Sequence, residues 1–260
     1  MNHDPVVAVV LITYDSERFL AQTLESIDSQ GRQPDIRIGI DDHSGDGTRE
    51  LLSEHGFDVA TSTSSATDAT TRIAQNFLQG MRRAQSQGAD LVVFGDHDDL
   101  WHRTRIEHQV GLLESNPKAA MIASDGYVID EHGVAVPGTI RSSFPVPTDF
   151  NQQSLRSRIG YATRHSVATG GASAVRPNAL SDWSIPQGWL HDRWWSLAAL
   201  RKDRLLIDPT PVIDYRISPD QQVGLDEAMQ RQPFRWTLAK AKDAARSGRR
   251  VRDLARLARR

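Results

Sequence analysis

Leu91-Val-Val-Phe-Gly-Asp-His-Asp-Asp-Leu-Trp101 decides how this chain is read. Its first four residues are a short apolar run suited to a buried strand, and three carboxylates follow within four residues. Carboxylates so crowded repel one another unless a cation or strong donors sit among them. Side chains alternate in direction along an extended strand end, so Asp96 and Asp98 can point to one side. That arrangement offers oxygen ligands to a hard divalent cation, Mg²⁺ or Mn²⁺. Such ions commonly take one or two carboxylates and fill the rest of their shell with phosphate oxygens. A solvated turn with a helix cap at Asp99 is the competing reading, and spacing alone does not separate the two.

Outward from this stretch, strand-like and helix-like patterns alternate. Residues 6–12 and 36–40 are strand candidates, and residues 119–123 another. Phe19, Leu20, Leu24 and Ile27 recur at helical spacing before Gly31, and Ile73, Phe77 and Met81 step by four before Gly88. Leu51 and Leu52 suit a short helix ended by Gly56, and Ile106, Val110 and Leu113 suit another amphipathic helix. Residues 61–71, mostly Ser, Thr and Ala, read as a mobile loop. Residues 127–129 and 134–136 flank Asp130-Glu131-His132-Gly133 as a hairpin would. Short connections between such elements predict an α/β fold with a mixed, mostly parallel central sheet and flanking helices. In an open parallel sheet, ligands bind beyond the carboxyl ends of the strands. The acids at Asp41-Asp42 and at Asp96, Asp98 and Asp99 should therefore face one crevice.

Composition narrows the function classes. The chain has 260 residues, 38% apolar and 25% charged, which is the mix of a globular protein with a sizeable core. It excludes a disordered, collagen-like or disulfide-scaffold chain. There is no cysteine, hence no thiolate metal site and no cysteine nucleophile. The apolar run at residues 6–12 falls far short of the ~20 residues needed to cross a bilayer. No basic segment precedes it and no small-residue cleavage site follows it, so a cytoplasmic chain is expected. The net charge of −2 hides an asymmetry: residues 231–260 carry eleven Lys or Arg against two Asp, so residues 1–230 carry −11.

Three segments together resemble a known family. Val9-Val-Leu-Ile-Thr-Tyr-Asp15, Ile40-Asp-Asp-His-Ser-Gly-Asp-Gly-Thr48 and Phe94-Gly-Asp-His-Asp-Asp-Leu-Trp101 are similar to the successive signatures of family 2 glycosyltransferases. The resemblance is closest to the rhamnosyltransferase-type branch and continues through His191-Asp-Arg-Trp-Trp195 and Tyr215-Arg216. It implies the GT-A fold, a nucleotide-sugar-binding α/β sandwich, over residues 1–225. The implied reaction moves a sugar from a UDP- or dTDP-sugar to an acceptor hydroxyl in surface polysaccharide or glycolipid synthesis.

By the same resemblance, Asp98 is the direct metal ligand and Asp96 bonds the donor ribose or sugar. Thr13 and Tyr14 contact the nucleotide base, and Asp42 accepts a hydrogen bond from its ring N–H, which suits uracil or thymine. Asp192 is the candidate general base of an inverting transfer, with a helix cap as its rival role. Ser218 stands where relatives carry a His after the Tyr-Arg pair, which makes a non-catalytic nucleotide-sugar-binding relative the alternative. Gly170-Gly171 allows a close approach by substrate or marks a plain bulge.

The basic run that opens at Arg231 and closes at Arg260 reads as an amphipathic helical tail over residues 226–260. Two readings stand side by side: contact with anionic lipid at the inner membrane face, beside a lipid-linked or glycan acceptor, and a solvated helix or oligomer contact. No stacking platform or recognition motif supports nucleic-acid binding.

Overall fold

The computed structural model describes residues 4–180 and 182–218, with residues 252–254 and 256–257 near the C-terminus. The chain divides into two compact units, Met1–Gln222 and Val223–Arg260. The expected boundary at residue 225 and most of the expected tail helix lie outside the described residues. Residues 252–254 and 256–257 are helical. Among the described residues no helix is long and apolar enough to cross a membrane.

The first unit begins with β1 (Val7–Thr13), α1 (Glu17–Asp28), β2 (Ile36–Asp41), α2 (Thr48–Glu54), β3 (Asp58–Thr61) and α3 (Ala69–Ser86). The acid-rich strand β4 (Leu91–Asp96) leads to β5 (Leu100–Trp101) and α4 (Arg105–Ser115). A hairpin of β6 (Met121–Ile129) and β7 (Ala135–Thr139) precedes α5 (Ile140–Ser143) and α6 (Leu155–Ala162). A 3-10 turn, Gly170–Ala172, then enters β8 (Ser173–Val175), followed by α7 (His191–Arg201) and β9 (Leu205–Arg216).

The described strands form one sheet in the order β3-β2-β1-β4-β8-β6-β9-β5, with β7 paired to β6. Pairing is parallel across β3, β2, β1 and β4, antiparallel on both sides of β8, and parallel again between β6 and β9. This is the expected α/β sandwich with a mixed sheet.

All seven residues of β1 are buried, so both faces of the sheet are covered there. Each fully buried Val, Leu or Ile of this strand stabilises the fold by about 1.5–3 kcal/mol. On α3, Ala74, Phe77, Met81 and Ala84 fill the inward stripe. Gly80 on the same helix lets its backbone lie against Val10, where any side chain would collide. Gly56 and Gly88 take positive φ just beyond α2 and α3, as helix-ending glycines do.

Register sets the site. Thr13 pairs with Asp41 across β1 and β2, and Ile12 pairs with Asp96 across β1 and β4. Three strands thus end flush, and their acids emerge at one sheet edge. The Ser/Thr stretch expected to be mobile is instead stitched to α3: Ser62 donates to Asn76, Thr63 to Gln79 and Ser64 to Gln75. Asp68 caps α3 by accepting from the Thr71 N–H at 2.9 Å. The physical reason is that each short hydroxyl finds an amide on the facing helix, a pairing with no local signature.

Candidate active site

The loops after β1 and β2 are laced together. Asp15 N–H donates to Ser44 Oγ at 2.9 Å, and Gly45 N–H returns a bond to Asp15 Oδ1 at 2.8 Å. Ser16 N–H donates to Thr48 Oγ1 at 2.7 Å, and Asp42 N–H to the Thr13 carbonyl at 2.8 Å. Asp15 and His43 sit at φ 44° and 66°, a left-handed conformation that short polar side chains tolerate by bonding locally. Asp41 is fully buried and saturated: it accepts from Thr13 Oγ1, Ser44 and Arg49. Its role is to fasten the loop.

Asp42 is buried at the mouth of this edge, and its Oδ2 accepts from Arg72 Nε on α3 at 2.6 Å. Arg72 carries no sequence signature and was not anticipated. Thr13 is buried with its hydroxyl and carbonyl both engaged inside the protein, whereas Tyr14 beside it is 45% exposed.

The second group of acids surrounds the 3-10 turn. Asp96 is half-buried, and its carboxyl is raised to about 7 by burial and by the charges of Asp98 and Asp192, against the pull of Arg105. Asp99 is fully buried and is pushed well above the ordinary carboxylate range by burial and by Asp98 and Asp96. It accepts the Arg216 N–H on Oδ1 at 3.1 Å, and its Oδ2 has no hydrogen-bond partner. Asp98 is buried, and its carbonyl accepts from Arg216 Nε at 2.9 Å.

Gly171 explains how these acids come together. A Cβ on Gly171 would lie 2.6 Å from Asp96 Oδ2 and 2.7 Å from Asp99 Oδ2. A Cβ on Gly170 would lie 2.5 Å from the His191 ring. The glycine pair is neither a plain bulge nor, in this structure, a place of substrate approach: it lies in a 3-10 turn, and the groups packed against it are the protein's own acids and imidazole.

Asp192 is the second residue of α7, whose cap position is Leu190, so it does not cap the helix. Its carboxylate accepts from its neighbour Arg193 N–H at 2.6 Å and from the Gly170 N–H. Burial nevertheless raises it to about 6. His191 is buried and stacked on Phe77 at 3.7 Å, and burial lowers it to about 3. Neither of its ring nitrogens has a hydrogen-bond partner. Trp189, Trp194 and Trp195 are all buried, packed as core against Phe94, Trp183 and one another.

Two buried arginines hold the acid loop. Arg105 stacks on Trp101 at 3.7 Å and donates to the Phe94 carbonyl at 2.6 Å. It places a cation beneath Asp96 and Asp99, although burial lowers it to about 9. Arg216, the second residue of the Tyr-Arg pair, is buried. It grips Asp98 and Asp99, Gln22 of α1 and the carbonyls of Asp130 and Glu131. Ser218 is buried two residues beyond it.

The acids fit a hard divalent cation in one respect: every donor is an oxygen, and one carboxylate oxygen is buried without a partner. Among the described residues no group of three His, Cys, Asp or Glu is arranged to hold a metal ion by itself. A cation held here would have one or two protein oxygens and would need to complete its shell from other ligands.

A model of the family described as "Glycosyl transferase family 2" matches residues 8–175. EpsE of Bacillus subtilis, provisionally named a glycosyltransferase, is 31% identical over 197 residues, 73% of this chain and 67% of EpsE. TuaG of the same organism, provisionally named a teichuronic acid biosynthesis glycosyltransferase, is 24% identical over 227 residues, 76% of this chain and 86% of TuaG. Glucosyl-3-phosphoglycerate synthase of Mycobacterium tuberculosis, solved with Mn²⁺, UDP and glucosyl-3-phosphoglycerate, superposes with TM-score 0.55 at 18% identity. That superposition covers 86% of this chain and 74% of the synthase, and it is a likeness of fold.

Proposed function

The chain belongs to glycosyl transferase family 2, and we infer that it moves a sugar from a UDP- or dTDP-linked donor to an acceptor hydroxyl, with inversion and with a divalent cation. One observation carries this reading. Asp96, Asp98, Asp99 and Asp192 lie close enough to shift one another's acidity, or share the Gly170–Gly171 backbone, at the edge where β1, β2 and β4 end.

The nucleotide diphosphate leaves with growing negative charge, and Mg²⁺ or Mn²⁺, when bound, supplies electrostatic stabilisation of that charge. Asp98 is the residue to hold the cation, and Asp96 accepts from the donor ribose or sugar. Tyr14 stacks on the base, and Thr13 fixes the strand end beside it. Asp42 and Arg72 offer an acceptor and a donor side by side. Uracil and thymine present the complement, an N3–H next to a carbonyl, whereas cytosine has an acceptor at N3.

Asp192 takes the acceptor proton as the hydroxyl attacks opposite the departing diphosphate. A base with a pKa of about 6 is ionised at neutral pH and still accepts a proton from the developing oxonium. The transferred group is a hexosyl or rhamnosyl unit, and the product is a surface polysaccharide or glycolipid, in keeping with the name given to TuaG. The enzyme works in the cytoplasm, where its basic tail can meet the anionic inner membrane face.

The test uses the purified full chain with a panel of UDP- and dTDP-sugars, in Mn²⁺ or chelator, reading nucleotide binding and nucleotide release. Cation-dependent release supports the reading. Binding without release favours the alternative, a nucleotide-sugar binder that lacks transfer, to which the buried Ser218 points. No binding overturns both.

A further inference from the structure

We propose that Gln109 on α4 is a positioning residue for the transfer: its one amide holds both the Gly170–Ala172 turn and the Arg105 guanidinium, the two parts that face Asp96 and Asp99. This rests on the reading of Asp96 as a donor contact and Asp192 as the base.

Packing alone does not call for an amide here. Gln109 is 0% exposed and shares the buried side of α4 with Ile106, Val110 and Leu113. Burying an amide among aliphatic side chains costs free energy unless its hydrogen bonds are made, and an apolar residue at this place would pack without that cost. The bonds that Gln109 makes lead to the site. Its Nε2 donates to the Ala172 carbonyl at 3.1 Å and to Ser124 Oγ at 3.1 Å, and its Oε1 accepts from Arg105 Nε at 3.5 Å. These partners fix the direction of the amide, because an arginine N–H only donates and a carbonyl only accepts.

Two of the three partners act on the same acids. Ala172 ends the turn in which Gly171 packs against Asp96 and Asp99, and in which the Gly170 N–H meets the Asp192 carboxylate. Arg105 is the buried cation that attracts Asp99 and Asp96. Its Nη2 is taken by the Phe94 carbonyl and its Nη1 has no hydrogen-bond partner, so Gln109 is the side chain that engages Nε. Arg105 lies one helical turn before Gln109, whereas Ala172 lies 63 residues after it. The amide therefore ties the segment that bonds the base to the element that carries the acids' counter-charge. The third partner leads away from the site: Ser124 donates to Asp208, which also pairs with His108.

The experiment compares Gln109→Met with Ser124→Ala in the full chain. Methionine matches glutamine in length and fills the same space, but it cannot donate to Ala172. Ser124→Ala removes the third partner and spares both bonds to the site. Gln109→Met should lower kcat for Mn²⁺-dependent transfer by about tenfold or more, since small displacements of reacting groups are costly, while the donor KM stays within about threefold. Tyr14, Asp42 and Arg72, which hold the base, stand on other elements. Ser124→Ala should lower Tm and keep kcat. Amide hydrogen exchange over residues 168–176, read by mass spectrometry, should quicken in Gln109→Met and not in Ser124→Ala. Wild-type kcat in Gln109→Met, or equal loss of kcat in both variants, overturns the proposal, because packing alone then accounts for Gln109. Gln109→Glu keeps the acceptor for Arg105 and lacks the donor to Ala172, and it replaces the methionine variant if that one does not fold. If the wild type transfers nothing, the donor reading falls, and the exchange comparison decides by itself: unchanged exchange in the turn overturns the hold of Gln109 on it.

Discussion

Replacing Gly171 with alanine asks whether the acids work as one unit. The added methyl would sit 2.6 Å from Asp96 Oδ2 and 2.7 Å from Asp99 Oδ2, where real contacts do not fall below 3.0 Å. Each carboxylate must therefore retreat by about 0.4 Å or the 3-10 turn must shift by as much, and ordinary van der Waals distance needs twice that. Overpacking of this kind costs about 1–3 kcal/mol, and Tm falls by about 2–4 °C for each kcal/mol in a domain of this size. Function should suffer more, because misplacing reacting groups by about 1 Å costs about 10²-fold in rate. The assay is nucleotide release with a Mn²⁺ titration, beside a thermal melt. Gly111→Ala is the control: nothing lies within 4 Å of its Cβ, and alanine in the middle of α4 should stabilise by about 0.5–1 kcal/mol. Full activity and unchanged Mn²⁺ affinity in Gly171→Ala would refute the convergence of Asp96 and Asp99 on the reaction.

Three further outcomes are expected. Asp192→Asn should keep UDP affinity and lower transfer by about 10²–10⁴-fold, and the wild-type rate should fall as pH drops through about 6, where the base becomes protonated; a flat profile with an active variant contradicts this. Asp96, raised to about 7 in the fold, binds its proton more tightly there than in the unfolded chain. Its contribution is therefore complete below about 3.8 and is lost as pH rises through about 7. His191, buried neutral, acts in the opposite direction, gaining stability as pH rises to its unfolded value near 6.5, but it is common to wild type and Asp96→Asn. Melts in chelator should show wild type losing ground to Asp96→Asn toward pH 7, and Mn²⁺ should reverse the loss; parallel curves would count against it. Arg72→Ala should weaken UDP by about 10–100-fold, the worth of about 1.5–3 kcal/mol for a hydrogen bond to or from a charged group, as read by calorimetry. Unchanged affinity would remove Arg72 from base reading.

What was legible beforehand follows a physical line. β1, β2 and β4 are buried on both faces, so they appear as apolar runs, and the acids just past them appear as motifs. β3 is an edge strand in which Asp58 and Thr61 are exposed and Val59 and Ala60 only half-buried, with too little apolar content to register. β9 contains Pro209 and Pro211, which read as strand breakers. They are tolerated because the β6–β9 register shifts around Asp125, which faces Pro211. Arg72 and Arg105 were invisible because their partners, Asp42 and the Phe94 carbonyl, are distant in sequence and unremarkable in spacing. Arg216 was visible as part of a pair, yet its direction was not, since only the folded hairpin supplies the carbonyls it grips.

That grip has a consequence for synthesis. Arg216 closes the last strand of the sheet and is 117 residues downstream of the Asp99 carboxylate it holds. A growing polypeptide acquires its β1–β4 half early, but the acid loop stays without its clasp until β9 has left the ribosome and paired with β6. On the proposed function, affinity for a charged sugar donor waits until residue 216 is in place, and a chain stopped short of it keeps the acids without the order that this clasp gives them.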